Sequence, residues 1–170
     1  MHPAEPSGPD LVGVVADAAA AGLPNVVIGG FSVIYHGYVR ATKDSDLLIP
    51  DGPEADAAVL RYLEISEGRR LSDDKVLTPD DVADAQHLRV NTRHGIVDIM
   101  RGGLPPLDYE TVSKQAEVVD WNGQAVRVAA LRTVVGFKRL AGRPQDQLDL
   151  SELEAIYGDL PVEPIPGLDT

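Results

Sequence analysis

The sequence predicts an α/β (α+β) fold: one mixed β-sheet of about four or five strands with flanking helices and a C-terminal helical pair. Three observations carry this. Early in the chain, short β-branched runs alternate with amphipathic stretches, which is the order of a sheet with crossover helices. Later, strand-like runs pair around Arg93-His94-Gly95 and Asn122-Gly123, which adds antiparallel hairpins and makes the sheet mixed. Finally, 170 residues at 44% hydrophobic and 25% charged suit a single chain-folded core rather than a disordered chain.

Taken in order, Asp10 caps a helix through Leu11, Val14, Val15 and Ala18 that Gly22 ends. Asn25–Ile28 is a buried strand, broken by Gly29-Gly30, and a short helix follows over Phe31–His36. Asp44–Ile49 is the next strand. Pro50-Asp51-Gly52 turns the chain, and Pro53 opens a helix over Glu54–Leu63. Residues 66–77 are polar and read as loop. Thr78-Pro79-Asp80-Asp81 starts a short helix to about Ala85, His87–Asn91 and Ile96–Met100 form a hairpin, and a short helix lies near Asp108–Lys114. Glu117–Trp121 and Gln124–Val128 flank Asn122-Gly123, the strongest hairpin signal in the chain. Ala129–Ala141 and Gln145–Tyr157 are helices separated by Gly142-Arg143-Pro144. The expected organisation is a flexible segment 1–9, a core 10–128, a helical pair 129–157 closing a cleft, and an irregular Pro-rich tail 158–170.

The chain has no cysteine, which excludes disulfides and thiolate metal sites. No apolar run approaches the roughly 20 residues of a bilayer-spanning helix, and Met1–Asp10 is acidic and Pro-rich rather than a signal peptide. A cytoplasmic protein without membrane association is the expectation. Net charge is −12, which argues against wrapping a long nucleic acid. Against that background, Arg127, Arg132, Lys138, Arg139 and Arg143 form a run with no acidic residue between them. Such a field suits a compact anion, a phosphate or the end of an RNA, or else is a solvated helix face.

Three carboxylates stand where strands leave little room for charge. Asp44 and Asp46 open the run Leu47-Leu48-Ile49, and Asp98 interrupts Ile96–Met100. Residues i and i+2 of a strand share a face, so Asp44 and Asp46 converge. Ionised carboxylates are buried only when paired or metal-bound, and hard oxygen ligands suit Mg²⁺ or Mn²⁺. The alternative keeps each one local, with Asp44 capping a turn, Asp46 pairing with Lys43 or Arg40, and Asp98 pairing with Arg89 across the hairpin. Gly29-Gly30, between a strand and a helix that carries Ser32 in its first turn, is a place where backbone and hydroxyl can approach an anion. Its alternative is a tight turn with Ser32 as a cap. His36 reads as a packing or capping residue, His94 as an exposed turn residue, and Trp121 as an edge aromatic.

Val27-Ile28-Gly29-Gly30-Phe31-Ser32, His36-Gly37 and Arg40-Ala41-Thr42-Lys43-Asp44-Ser45-Asp46 together resemble the G-G/S … D-x-D signature of the nucleotidyltransferase superfamily that includes DNA polymerase β. Asp98 is similar to its third carboxylate. The segment from Lys138 through Arg143, Asp146 and Asp149 to Leu150 resembles the K…A-x-R-x-K-D-x-x-D-L segment of AbiEii/MenT-type bacterial toxin nucleotidyltransferases, with Gln145 where a basic residue is frequent.

The resemblance implies transfer of an NMP from an NTP to an acceptor hydroxyl, with two Mg²⁺ ions held about 3.5–4 Å apart by Asp44 and Asp46. Asp98 would ligate the ion nearest the acceptor and help deprotonate it. Gly29, Gly30 and Ser32 would hold the β- and γ-phosphates. Lys138 or Arg139 would contact the triphosphate or the acceptor, with Arg40 and Thr42 also on the nucleotide side. Asp146 and Asp149 would orient Lys138 or Arg143. The toxin resemblance further implies the 3′ end of tRNA as acceptor and a cognate antitoxin as partner, which would phosphorylate Thr42 and so repel the nucleotide. The other readings are transfer to a small molecule such as an aminoglycoside, transfer to a protein hydroxyl, and an inactive nucleotide-binding module.

Overall fold

The structure, a computed structural model, describes residues 8–83 and 85–169. The segment 1–9 expected to be flexible therefore falls largely outside the described residues. The chain runs α1 (Leu11–Ala20), β1 (Val26–Ile28), α2 (Gly29–Tyr35), β2 (Asp44–Leu48), α3 (Pro53–Ser66), β3 (Arg69–Arg70) and α4 (Pro79–Ala83). It continues with β4 (His87–Thr92), β5 (Gly95–Met100), α5 (Tyr109–Gln115), β6 (Glu117–Trp121), β7 (Gln124–Val128), α6 (Leu131–Ala141) and α7 (Pro144–Tyr157). The mixed α/β class is as expected. The sheet is larger than expected, with seven strands in the order β3-β4-β5-β2-β1-β7-β6. The added edge strand, β3, lies inside the segment read as loop. It is two arginines long and pairs with β4 at Val90 and Asn91, too short to leave a periodic signal.

Local chemistry accounts for most boundaries. The Asp10 carboxylate accepts the Gly13 N–H at 3.1 Å and starts α1. Pro53 and Pro144 stand at the first turns of α3 and α7, where a missing N–H is harmless. Asn122 and Gly123 both adopt positive φ, as a two-residue hairpin turn demands.

Alternation along the strands sorts residues onto two faces. Val27, Leu47, Val97 and Ile99 pack with Leu11, Val14 and Tyr62 beneath α1 and α3. Val26, Ile28 and Leu48 pack on the other face with Val112, Val134 and Leu153 of α5, α6 and α7. Asp44 and Asp46 have the parity of Leu48, so they lie on the α6/α7 face. Residues 158–169 form no helix or strand, yet they follow α6 closely. Ile165 is buried, and Arg139 binds the Glu163 carbonyl at 3.2 Å and the Asp169 carboxylate at 2.6 Å.

Candidate active site

β2 runs antiparallel to β1 and parallel to β5. The register sets Asp46 opposite Ile28 on one side and opposite Asp98 on the other. Asp44, Asp46 and Asp98 each offer a carboxylate oxygen, all within 4.8 Å of one another. They sit at the floor of a cavity of ≈ 600 Å³ whose far wall is α6 and the start of α7.

Gly29, which follows β1 directly, has φ +68°, and a Cβ there would overlap Oδ2 of Asp46. A Cβ at Gly30 would come within 2.6 Å of the Thr42 hydroxyl. The glycine pair is thus required by the packing of the carboxylate strand against its neighbour.

The three carboxylates strain against one another. Burial first, then the charges of Asp44 and Asp98, push Asp46 up to about 7, and Lys138 offsets this only in part. Asp44 is raised by burial and by Asp98, with Arg89 opposing. Among the described residues Asp46 has no ion-pair partner. Asp98 accepts from His87 Nε2 at 2.8 Å and from Arg89 at 2.9 Å, and Arg89 also reaches Asp44 at 3.2 Å. The local pairing of Asp98 with Arg89 and the convergence of the triad therefore coexist. Three oxygen donors converging on one point, with one carboxylate lacking a cation, fit a hard divalent ion.

The second cluster of carboxylates behaves oppositely. Lys138, only 6% exposed, holds Asp146 at 3.0 Å and Asp149 at 2.9 Å. Arg143 binds Asp146 at 2.7 Å, and Arg40 binds Asp149 through two bonds of 2.8 and 2.9 Å. Gln145, at the position where a basic residue is frequent, donates to Asp149 at 2.8 Å. Burial acts to raise both carboxyls, but the bonds to Asp146 from Arg143 and Lys138, and to Asp149 from Arg40, Lys138 and Gln145, outweigh it and hold both low.

Among the expected site residues, Gly29, Gly30, Arg40, Thr42, Asp44, Asp46, Asp98, Lys138, Arg143 and Asp146 line the cavity. Asp149 reaches it through Arg40 and Lys138. Thr42 precedes β2 rather than lying in it, and its hydroxyl donates to the Asp44 carbonyl at 3.1 Å.

Two expected residues are elsewhere. Ser32 is fully buried and spends its hydroxyl on the Gly29 carbonyl at 2.6 Å, so it fastens the turn instead of facing the cavity. Arg139 lies about 100° around α6 from Lys138, which turns it to the tail. The basic run is likewise no open positive field. Arg132 pairs with Glu163, Lys138 and Arg143 with Asp146, and Arg139 with Asp169.

His36 is structural, with Nε2 2.8 Å from the Ala129 carbonyl. His94 is not an exposed turn residue but is half-buried between Asp10 and Asp17 of the α1 region, at 3.3 and 3.4 Å. Trp121 packs edge-on to Phe31. His87 went unnoticed in the sequence. Its signal is the i, i+2 spacing with Arg89, which gives both side chains the parity of Asp98 on the paired strand.

No family model matches the chain, and no curated protein matches it in sequence. Solved structures do match. The chain superimposes on the antibiotic-resistance factor ANT(2'')-Ia with a TM-score of 0.58 at 15% identity, covering 86% of this chain and 84% of that one. For the lincomycin-bound lincosamide antibiotic adenylyltransferase LnuA the TM-score is 0.59 at 12% identity, over 86% and 95%. For an antigenic nucleotidyltransferase-like protein from Paracoccidioides brasiliensis it is 0.55 at 14% identity, over 88% and 77%. The chain has the nucleotidyltransferase fold. No helix among the described residues is long and apolar enough to cross a membrane.

Proposed function

We propose that the protein is a metal-dependent nucleotidyltransferase that moves an NMP from an NTP to an acceptor hydroxyl and releases pyrophosphate. The observation that carries this reading is the convergence of Asp44, Asp46 and Asp98 within 4.8 Å on two paired strands, with Asp46 packed against Gly29. Asp44, Asp46 and Asp98 are the residues to hold Mg²⁺ or Mn²⁺. A metal held by these residues would supply alignment of the acceptor oxygen with the α-phosphorus and offset charge on the leaving pyrophosphate.

The remaining roles fall to the chain's own groups. Asp98 accepts the proton of the acceptor hydroxyl as the new P–O bond forms and the bond to pyrophosphate breaks. His87 and Arg89 hold its two oxygens in place. Arg143, with its side chain 73% exposed, and Lys43, also on the cavity wall, are the cations available to phosphate oxygens. Lys138, clasped by two carboxylates, holds α6 and α7 together as the wall of the site and lends positive charge toward Asp46.

For the acceptor, a small hydroxyl compound is the first reading. The fold is shared with two antibiotic-modifying enzymes, and the neutralised basic run provides little grip for a polyanion. The second is the 3′ end of tRNA, in a toxin restrained by an antitoxin. It is favoured by the toxin-like Lys138–Leu150 segment, four of whose side chains meet at this wall. Thr42, on the cavity lining, would then be the site of inhibitory phosphorylation, and Thr42→Glu is expected to abolish NTP binding.

The test is incubation with each α-labelled NTP, Mg²⁺ and either total RNA or a panel of hydroxyl compounds. Labelled product is expected from the wild type and none from Asp46→Asn. Absence of NTP binding in calorimetry with Mg²⁺ overturns the reading, and NTP binding without labelled product in any arm overturns it in favour of an inactive nucleotide-binding module.

A further inference from the structure

A second cavity of ≈ 380 Å³ adjoins the first and shares His87, Met100 and Phe137 with it. Its position follows from the register. Leu48 of β2, Met100 of β5 and His87 of β4 line it, so it opens two residues along the strands from Asp46 and Asp98, in the direction away from the glycine turn. Met100, Leu104, Leu107, Phe137, Leu140 and Ile165 make it apolar, and no carboxylate among the described residues lines it. Its one guanidinium, Arg101, is nearly buried and fully engaged by Asp56 and by the Ala85 and Val82 carbonyls. Leu104 and Leu140 are large apolar side chains left 66% and 51% exposed on its rim. Singly these would be ordinary. Together, on one hollow contiguous with the triad, they mark a binding surface.

We propose that this hollow is the acceptor subsite, and that it takes the apolar portion of an uncharged amphiphilic hydroxyl compound. This rests on the nucleotidyltransfer reading. An apolar group seated against Phe137 and Leu140 leaves a polar end directed past His87 at Asp98, the group assigned to accept the hydroxyl proton. A polycationic acceptor finds no counter-charge in the hollow, and a bare sugar leaves Leu104 and Leu140 in water.

The matched probes are n-octyl-β-D-glucoside below its micelle concentration, glucose and kanamycin. Each is titrated by ligand-observed NMR into the full chain loaded with Mg²⁺ and a non-hydrolysable ATP analogue. Octyl glucoside is expected to bind at least about tenfold tighter than glucose, the gain from burying as few as two methylenes. Leu104→Lys and Leu140→Lys, both at exposed positions, are expected to erase that preference while binding of the nucleotide analogue is retained. Equal affinity for octyl glucoside and glucose overturns the subsite, as does a preference that survives both variants, or tighter binding of kanamycin. Failure of the nucleotide analogue itself to bind overturns the nucleotidyltransfer reading instead, so the two failures are distinct.

Discussion

Four of the carboxylates around the cavity form two pairs with opposite electrostatics. Asp146 and Asp149 expose almost no surface to solvent, yet Lys138, Arg40 and Arg143 hold them charged. Asp44 and Asp46 expose more, yet burial and repulsion within the triad push both up. Solvent exposure alone therefore does not decide the state of a carboxyl. What decides it is whether the chain supplies the compensating charge. Where it does, the carboxylates are scaffold and tie α6, α7 and the segment before β2 into one wall. Where it does not, the deficit is an appetite for a cation.

The largest test of this division is Asp46→Asn. It removes one ligand and one repulsive charge at once. Transfer is expected to fall on the order of 1000-fold, as when a principal electrostatic stabiliser is lost. The metal-free fold is expected to be as stable or more so, and Mg²⁺ no longer raises the melting temperature. Loss of the fold in this variant would place Asp46 with the scaffold. The complementary substitution, Asp149→Ala, strands the largely enclosed Arg40 and leaves the buried Lys138 with Asp146 alone. It is expected to destabilise by about 3 kcal/mol in urea unfolding, with or without Mg²⁺.

Much of this division was legible in the chain, and the illegible parts share a cause. Asp10, Pro53, Asn122-Gly123 and Gly142 announce their elements because a cap or turn is a local event. The convergence of Asp44 with Asp46 is local too, fixed by the two-residue period of a strand. Asp98 is not local. Its arrival beside them depends on β5 pairing in parallel with β2, and the resemblance to a known family, not periodicity, pointed to it. Ser32 and Arg139 were misjudged because residue type was read without direction. About 100° of helical phase separates Lys138 in the cavity from Arg139 on the tail. The basic run misled for another reason: Glu163 and Asp169, which neutralise Arg132 and Arg139, lie in an irregular tail that carries no pattern.

The third prediction uses pH to separate the clusters. A carboxyl whose folded pKa is raised binds its proton more tightly in the folded state. Its contribution is fully present below the unfolded value near 4 and is lost as pH rises through the folded value. For Asp46, raised to about 7, the metal-free protein is expected to lose about 3 kcal/mol between pH 4 and pH 7. Mg²⁺ reverses the slope by favouring the ionised form, and Asp46→Asn flattens it. Asp146 and Asp149 have the opposite sign, since their contribution is present above about pH 4 and lost in acid. Urea titrations across pH, with chelator and with Mg²⁺, read both limbs. A metal-free slope that is flat from pH 4 to 7 would show that the triad is not under strain.

The smallest effect falls on the residue that belongs to both clusters. Arg143 binds Asp146, and the charges of Asp46 and Asp44 also act on it, although its side chain is mostly in solvent. As scaffold it is dispensable, because Asp146 retains Lys138. Arg143→Ala is therefore expected to cost no more than about 0.5 kcal/mol of stability, as for other exposed ion pairs. As a phosphate contact it is not. The same variant is expected to raise the KM for NTP by about threefold to tenfold with kcat little changed, and to weaken the salt dependence of KM. Arg40→Ala is the control: its guanidinium is mostly enclosed on Asp149, and its loss should appear in stability before it appears in KM. An unchanged KM in Arg143→Ala would return Arg143 wholly to the scaffold and leave Lys43 as the cation that meets the triphosphate.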